Sequence, residues 1–409
     1  MGVPVFTLPD TADAAATCPP IGAVGPKPNG FFADCDPAAN FDGTRPIAEH
    51  FNELIVNLRA LLAHASIAAV KGDPTMLWRA IQAMILSFTI DAAVTVNVAP
   101  GGSANPANPL GGDPFDTLVS ALNWLAYYSI TPRGYVTIQL AAATYTHTAS
   151  ILCEHPNGDR ITIAGADAAT TVLSFPSGTN GLTVTTNLNG ITTLTIQGNK
   201  TSGTLGVAVT GLLRAYELTV KSWDVGVQVE GGGYLEFQAL DVSDTVGNGL
   251  ALLNRGACNG SVFTATQIGF GIGAPYYIAG LACNGGGVAW IDQITCTNCH
   301  KGLDISGAGS EVRARRIQVH GVDPIPDGSG GTTSIAVEAN DGAVIVANGG
   351  NPGDWHADMP AYFWAAMFAF IRADNAFDNW AHTHASPSPQ TLGNVNAMVW
   401  TTSLTPPSV

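Results

Sequence analysis

The chain is expected to be mainly β, a parallel β-helix behind a short N-terminal helical region and closed by a C-terminal cap. Three observations lead there. Charged residues make up only 11% of 409 positions while glycine reaches 47, a balance that favours strands and turns over helical bundles. A Gly followed by two apolar residues in alternation recurs as GLTV at 181, GVAV at 206, GVQV at 226, GLAL at 249 and GLDI at 302. The first four are 25, 20 and 23 residues apart, and the last gap of 53 leaves room for one more coil. Repeats of roughly two dozen residues have no space for the crossover helix that a βαβ sheet requires, so short strands must follow one another around a solenoid.

Residues 1–45, rich in Pro, Gly and Asp with Phe31, Phe32 and Phe41 as isolated anchors, read as an extended arm. A helix is predicted from Pro46, with Phe51, Leu54, Ile55, Leu58, Leu61 and Leu62 on one face. A second is predicted from Asp73 as N-cap and Pro74, burying Leu77, Trp78, Ile81, Met84 and Ile85. Two amphipathic helices behind an arm suit a docking module, with Phe51, Leu54, Ile55 and Leu58 as docking residues; a self-contained helical hairpin is the alternative. From about residue 91 the texture changes to VTVNV, a Pro/Gly-rich loop at 100–114, and a helix from Asp113 and Pro114 with an apolar stripe of Phe115, Leu118, Val119, Leu122 and Leu125. Strands follow at 135–146 and 160–165. The chain thus divides into a docking region (1–90), a capping helix with the β-helix (91–345), and an aromatic-rich C-terminal region (346–409) that caps the last coil or knits chains together.

Within the repeats, Val242, Ile268, Ile294 and Val319 align as one rung series at steps of 26, 26 and 25 residues, with a third strand set around Leu235, Val262, Val288 and Val312. This register places Thr219, Asp241, Gln267, Gln293 and Gln318 in one column, a hydrogen-bonding surface suited to sugars. ACNG at 257–260 and again at 282–285 stacks Cys258 on Cys283 in adjacent rungs. Cys296-Thr297-Asn298-Cys299-His300 has the C-x-x-C-H spelling of covalent haem attachment. A rung turn offers no haem pocket, so the string reads as a turn and no haem is expected. A zinc site of Cys296, Cys299 and His300 is also disfavoured, being one ligand short of a structural site.

The formal charge of −15 disfavours nucleic acid and anionic membranes, both of which need a basic face. The N-terminus lacks the basic and apolar regions of a signal peptide. The longest apolar run, 361–371, is too short to span a bilayer. Seven cysteines, an odd number, suit synthesis in a reducing cytoplasm.

The segment NGFFADCDPAANFDGTRPIAEHFNELIVNLRALL (29–62) resembles the N-terminal region of bacteriophage tail appendages. DPFDTLVSALNWLAYYSITPRGYVTIQLAAATYTHT (113–148), with HPNGDRITIAGAD (155–167), is similar to the entry into tail-fibre and tailspike β-helices of the right-handed, pectate-lyase-like kind. The resemblance implies a homotrimeric virion protein, assembled in the host cytoplasm, whose residues 1–90 dock on tail, baseplate or capsid proteins. The tail, with Trp355, Tyr362, Phe363, Trp364, Phe368, Phe370, Phe377, Trp380 and Trp400, carries too much aromatic surface to stand in solvent. His382 and His384 form an H-x-H unit of the kind that holds iron or zinc on a trimer axis, and Asp354, His356 and Asp358 share its alternation; solvent-facing or core histidines are the plainer reading. No other cofactor is expected.

Host-glycan attachment is the expected role. The alternatives are a polysaccharide depolymerase and a head-decorating fibre with a purely structural role. Asp241, Asp244, Asp292 and Asp304 are the candidate acids for the depolymerase, a glycosidase needing two carboxyls about 5 Å or roughly 6.5–9.5 Å apart; Asp241 and Asp292, two rungs apart, would fall near that upper limit. The sequence leans away from an enzyme because the column is mostly amide. Asp292 stands apart, since strict alternation with Trp290 and Ile294 would point it inward, where an unpaired carboxylate is costly, so either a bulge turns it out or it has a partner.

Overall fold

The computed structural model describes residues 48–64, 67, 75–269, 278–322, 325–326, 332–348, 355–357, 361–365, 370–374 and 398–402. The chain divides into two compact units between Thr89 and Ile90.

The first unit contains α1 (Ala48–His64) and α2 (Met76–Ser87). Ile55, Leu62 and Ala80 are buried, while Leu54, Leu77, Trp78 and Ile81 are exposed. The expectation that Leu77, Trp78 and Ile81 form a buried stripe is corrected. Of the expected docking residues, Leu54 faces solvent, Leu58 is half-buried and Ile55 faces inward; the Phe51 side chain lies outside the described residues.

The second unit is mainly parallel β structure, in sheets of 16 and 10 strands. Successive strands alternate between the two sheets: Leu205–Val209 in the smaller, Leu212–Lys221 in the larger, Val225–Val229 in the smaller, Tyr234–Ser243 in the larger, and so on to Glu311–Val322. After that Ile325–Pro326 and Thr332–Asn340 both join the smaller sheet before Val344–Asn348 returns to the larger. Each strand pairs in parallel with the equivalent strand of the next coil. This topology is compatible with a parallel β-helix.

The Gly repeat has a steric cause. In the smaller sheet Gly206 and Gly226 are the second residues of their strands and Gly249, Gly280 and Gly302 immediately precede theirs, and the expected extra coil is Gly280-Leu281-Ala282-Cys283. A Cβ at Gly226 would lie 2.2 Å from Val242 Cγ1 and 2.7 Å from the Gly249 carbonyl oxygen. Glycine is therefore the residue that lets one coil sit on the next here. Beyond it, Val227 and Val229, then Leu250 and Leu252, point into the core.

The long strands of the larger sheet each turn a corner. In Tyr234–Ser243, Leu235 and Phe237 are buried, then Leu240 and Val242, so the inward alternation slips by one residue. The same slip separates Ala215 from Leu218, Ile291 from Ile294 and Ala314 from Ile317. Tyr216, Gln238, Ser261, Asp292 and Arg315 occupy the slipped positions and drop out of the paired ladder. Each long strand of the larger sheet thus contributes two inward runs, and each strand of the smaller sheet one.

The equal-step register is corrected. The paired series is Val242, Ala265, Cys296 and Val319. Coils here differ in length because the one containing residues 267–280 is longer, which breaks any constant spacing. Leu235 aligns with Cys258, Ala289 and Val312, so Val262 and Val288 leave the third series. Cys258 belongs to the larger sheet and Cys283 to the smaller; they do not stack as adjacent rungs. Cys296 and Cys299 lie inside the strand Val288–Cys299 rather than in a turn.

A short helix, α3 (Leu118–Leu125), precedes the first full coil. It starts later than Asp113: Thr117 is the N-cap, its Oγ1 accepting from Ser120 N at 3.1 Å. Phe115, Leu118, Ala121 and Leu125 are buried in the core, with Val119 and Leu122 packed against it. Strands also continue past residue 345. Phe370–Asp374 and Met398–Thr402 extend the larger sheet, and Ala361–Ala365 pairs with the smaller. Parallel pairing therefore enters the region expected to be a cap.

Candidate functional site

The outward residues of the bent sheet form columns, because each coil places its side chains above those of the last at about 4.8 Å. On the first half of the bend the column runs Arg214, Glu236, Asn259, Trp290, Arg313. Its upper end is a hydrogen-bonded ladder across coils. Asn189 Nδ2 donates to Tyr135 Oη and to Thr162 Oγ1, while its Oδ1 accepts from Arg214 at 3.4 Å. Arg214 Nε then donates to Glu236 at 2.9 Å. Further along, Trp290 is 49% exposed, a large indole held outward between Asn259 and Arg313. Arg313 Nε is engaged by Glu311, and the Arg313 side chain is 61% exposed. Arg315, at the corner, is exposed.

On the second half of the bend the column is Thr219, Asp241, Thr264, Thr295, Gln318. The expected column is corrected at two positions. Gln267 sits beyond its strand with φ of 57°, and Gln293 pairs with Val262 and Arg316 instead. Both follow from the unequal coil lengths. Asp241 lines a shallow groove of about 130 Å³ with Glu217, Ala239, Val262, Thr264 and Ala168. Partial burial there holds its carboxyl above the usual carboxylate range.

The other candidate carboxylates lie apart. Asp244 has a left-handed backbone, φ 59°, and is tied down by Lys200 and by the Ser222 hydroxyl at 3.0 Å. Asp292 is exposed at the corner, and of the two alternatives it is the break in alternation that holds: the slip between Ile291 and Ile294 turns it out. It does not share a column with Asp241, so the shared face on which a pairing of the two carboxyls depends is absent. Asp304 belongs to the smaller sheet, paired in register with Ala282 and Glu338. Its carboxylate accepts from Lys301 Nζ at 3.1 Å, and Lys301 also pairs with Glu338. Lys301 and Asp304 are both buried. Burial raises the Asp304 pKa most, Lys301 opposes this, and Glu338 adds to it.

The cysteines are interior groups. Cys153, Cys258, Cys283, Cys296 and Cys299 are buried free thiols. Burial pushes Cys153 up to about 12. A hydrogen bond with Cys299, then burial, raises Cys296 well above the ordinary thiol value, and its Sγ donates to the Gly302 carbonyl at 3.5 Å. Among the described residues no three His, Cys, Asp or Glu side chains are grouped to hold a metal ion. His382, His384, Asp354 and Asp358 lie outside the described residues, and His356 is placed only by its backbone pairing with Gln318.

A larger groove of about 260 Å³ lies beside α3, lined by Leu122, Leu152, Glu154, His155, Thr186 and Asn187 among others. His155 is locked into the backbone there, its ring nitrogens meeting Tyr128 O and Asn157 N at 3.0 Å each, so it serves the fold.

Glu217, Trp290, Arg313, Arg315, Lys301 and Glu338 were not singled out from sequence. Three arginines within four positions of a poorly charged chain, two dozen residues after an isolated tryptophan, were the available signal for one group of them. No protein-family model, curated protein or solved structure matches this chain.

Proposed function

We propose that this protein is a virion appendage of the bacteriophage tail-fibre or tailspike type, a homotrimer with a right-handed parallel β-helical shaft, and that it attaches to host-surface glycan. The observation that carries the reading is the outward wall of the bent sheet. It is a long, open strip of amide, hydroxyl, guanidinium and carboxylate groups with an exposed indole along it. Small-molecule sites are concave and mostly apolar, whereas an extended polar strip suits an extended polar polymer. The exposed Leu54, Leu77, Trp78 and Ile81 of the helical unit fit its role as the virion-docking region.

A second reading, a depolymerase, rests on the groove. Asp241 has a raised pKa, as a general acid requires. Glu217 lies outward one coil earlier, its Cα about 8 Å away from strand spacing and rise. Asp241 and Glu217 replace the wider set of candidate acids for this reading.

The test is to incubate purified protein with bacterial surface polysaccharides and follow retention beside polymer length. Retention with unchanged length is expected. Shortening that disappears in Asp241→Asn and Glu217→Gln would establish the depolymerase, and a protein that neither binds nor cuts would be a structural fibre.

A further inference from the structure

We infer that the surface around Trp290, Arg313 and Arg315 is a subsite for an acidic polysaccharide, one carrying a carboxylate sugar in its repeating unit. The inference rests on the glycan-attachment reading and names the class of glycan. Trp290 projects from one coil and Arg313 from the next, in direct register, about 4.8 Å on. Arg315 follows two residues later at the corner. A flat indole supports the apolar face of a pyranose, and a guanidinium beside it meets a ring carboxylate with paired donors.

Charge argues for the same occupant. The chain carries −15, yet three of its sixteen Lys and Arg residues fall at 313, 315 and 316. Arg313 shares one nitrogen with Glu311 and keeps two for a ligand. Arg315 forms no ion pair among the described residues, although Asp292 occupies the same corner one coil before. A nucleic acid, with a charge about every 1.7 Å, would also meet the exposed Asp292 and the Glu311 carboxylate beside Arg313. A polysaccharide with one carboxylate per repeat places charge only at the arginines and neutral sugars on the acidic flanks.

The test is an array of bacterial polysaccharides whose repeats contain a uronic acid, each beside its carboxyl-reduced form, probed with the full chain and with Trp290→Ala and Arg313→Gln/Arg315→Gln. All three side chains are at the surface, so the variants should fold, and circular dichroism with thermal melting checks that. Wild type should be retained on acidic polymers, at least tenfold less on the reduced forms, and progressively less as salt rises. Both variants should lose retention on acidic polymers by a similar factor. Equal retention on acidic and reduced polymers would overturn the charge selectivity while leaving glycan attachment intact. Unchanged retention by the variants would move the subsite elsewhere and overturn this placement. Absence of retention on every polymer would overturn the attachment reading itself.

Discussion

On the bent sheet the outward residues from Arg214 to Arg313 meet solvent, whereas on the smaller sheet Ala251, Ala282 and Asp304, in the same kind of outward position, are buried. Both sheets use the same inward apolar alternation and the same coil-on-coil pairing. The difference lies in what the outward position is asked to do. An exposed polar side chain contributes little to stability, so its identity is free to serve recognition. A buried one must be partnered, so its identity is fixed by its neighbours.

The largest effect should come from breaking the buried cluster. Lys301→Met leaves the Asp304 and Glu338 carboxyls together without their cation. Loss of one partner from a buried ion pair costs about 3–5 kcal/mol, seen as a lower urea midpoint. The loss should grow with pH. Without Lys301, which opposes the rise, the folded state holds a proton on Asp304 more tightly, so the stability tied to that group is present below the ordinary carboxylate range and lost as pH rises through its folded value. The triple variant Lys301→Met/Asp304→Leu/Glu338→Leu should recover most of the loss, because it removes the charges together. A triple variant as unstable as the single one would mean that the ion cluster itself holds the face.

The exposed ladder should behave oppositely. Arg214→Gln removes an exposed ion pair with Glu236 and a long, part-buried hydrogen bond to Asn189, and should cost less than about 1 kcal/mol. If its urea midpoint falls as far as that of Lys301→Met, the two faces do not differ in the way the burial implies.

The sequence made the inward side legible and left the outward side obscure for related reasons. Inward positions obey a steric rule visible in letters: the Gly-apolar-x-apolar unit repeats because a Cβ at positions such as Gly226 has no space. Outward columns depend on register, and register depends on coil length. The coil containing residues 267–280 is longer than its neighbours, so counting by 26 carried Gln267 and Gln293 into a column that Thr264 and Thr295 occupy. Corners were hidden as well. A two-residue alternation cannot reveal where it slips, and that is why the sequence leaves open whether Asp292 is turned out or partnered inside. The Lys301–Asp304–Glu338 cluster joins residues 37 apart in sequence, and no local pattern ties Glu338 to the other two.

The smallest effect concerns Asp241, which stands between the two cases, outward on the bent sheet yet partly covered by the groove. Its folded pKa is raised by burial. The folded state therefore binds the proton more tightly than the unfolded chain, whose Asp titrates near 3.9. The sign follows: its contribution is full below that value and is lost as pH rises through the folded pKa. Asp241→Asn removes the cost of holding a charge in the groove, so the variant should gain slightly on wild type above about pH 5 and match it near pH 3. Urea midpoints across that range measure the difference. A variant that loses stability at neutral pH would show that the carboxylate has a favourable partner in the groove, which would move Asp241 from the wall's free surface to its fixed one.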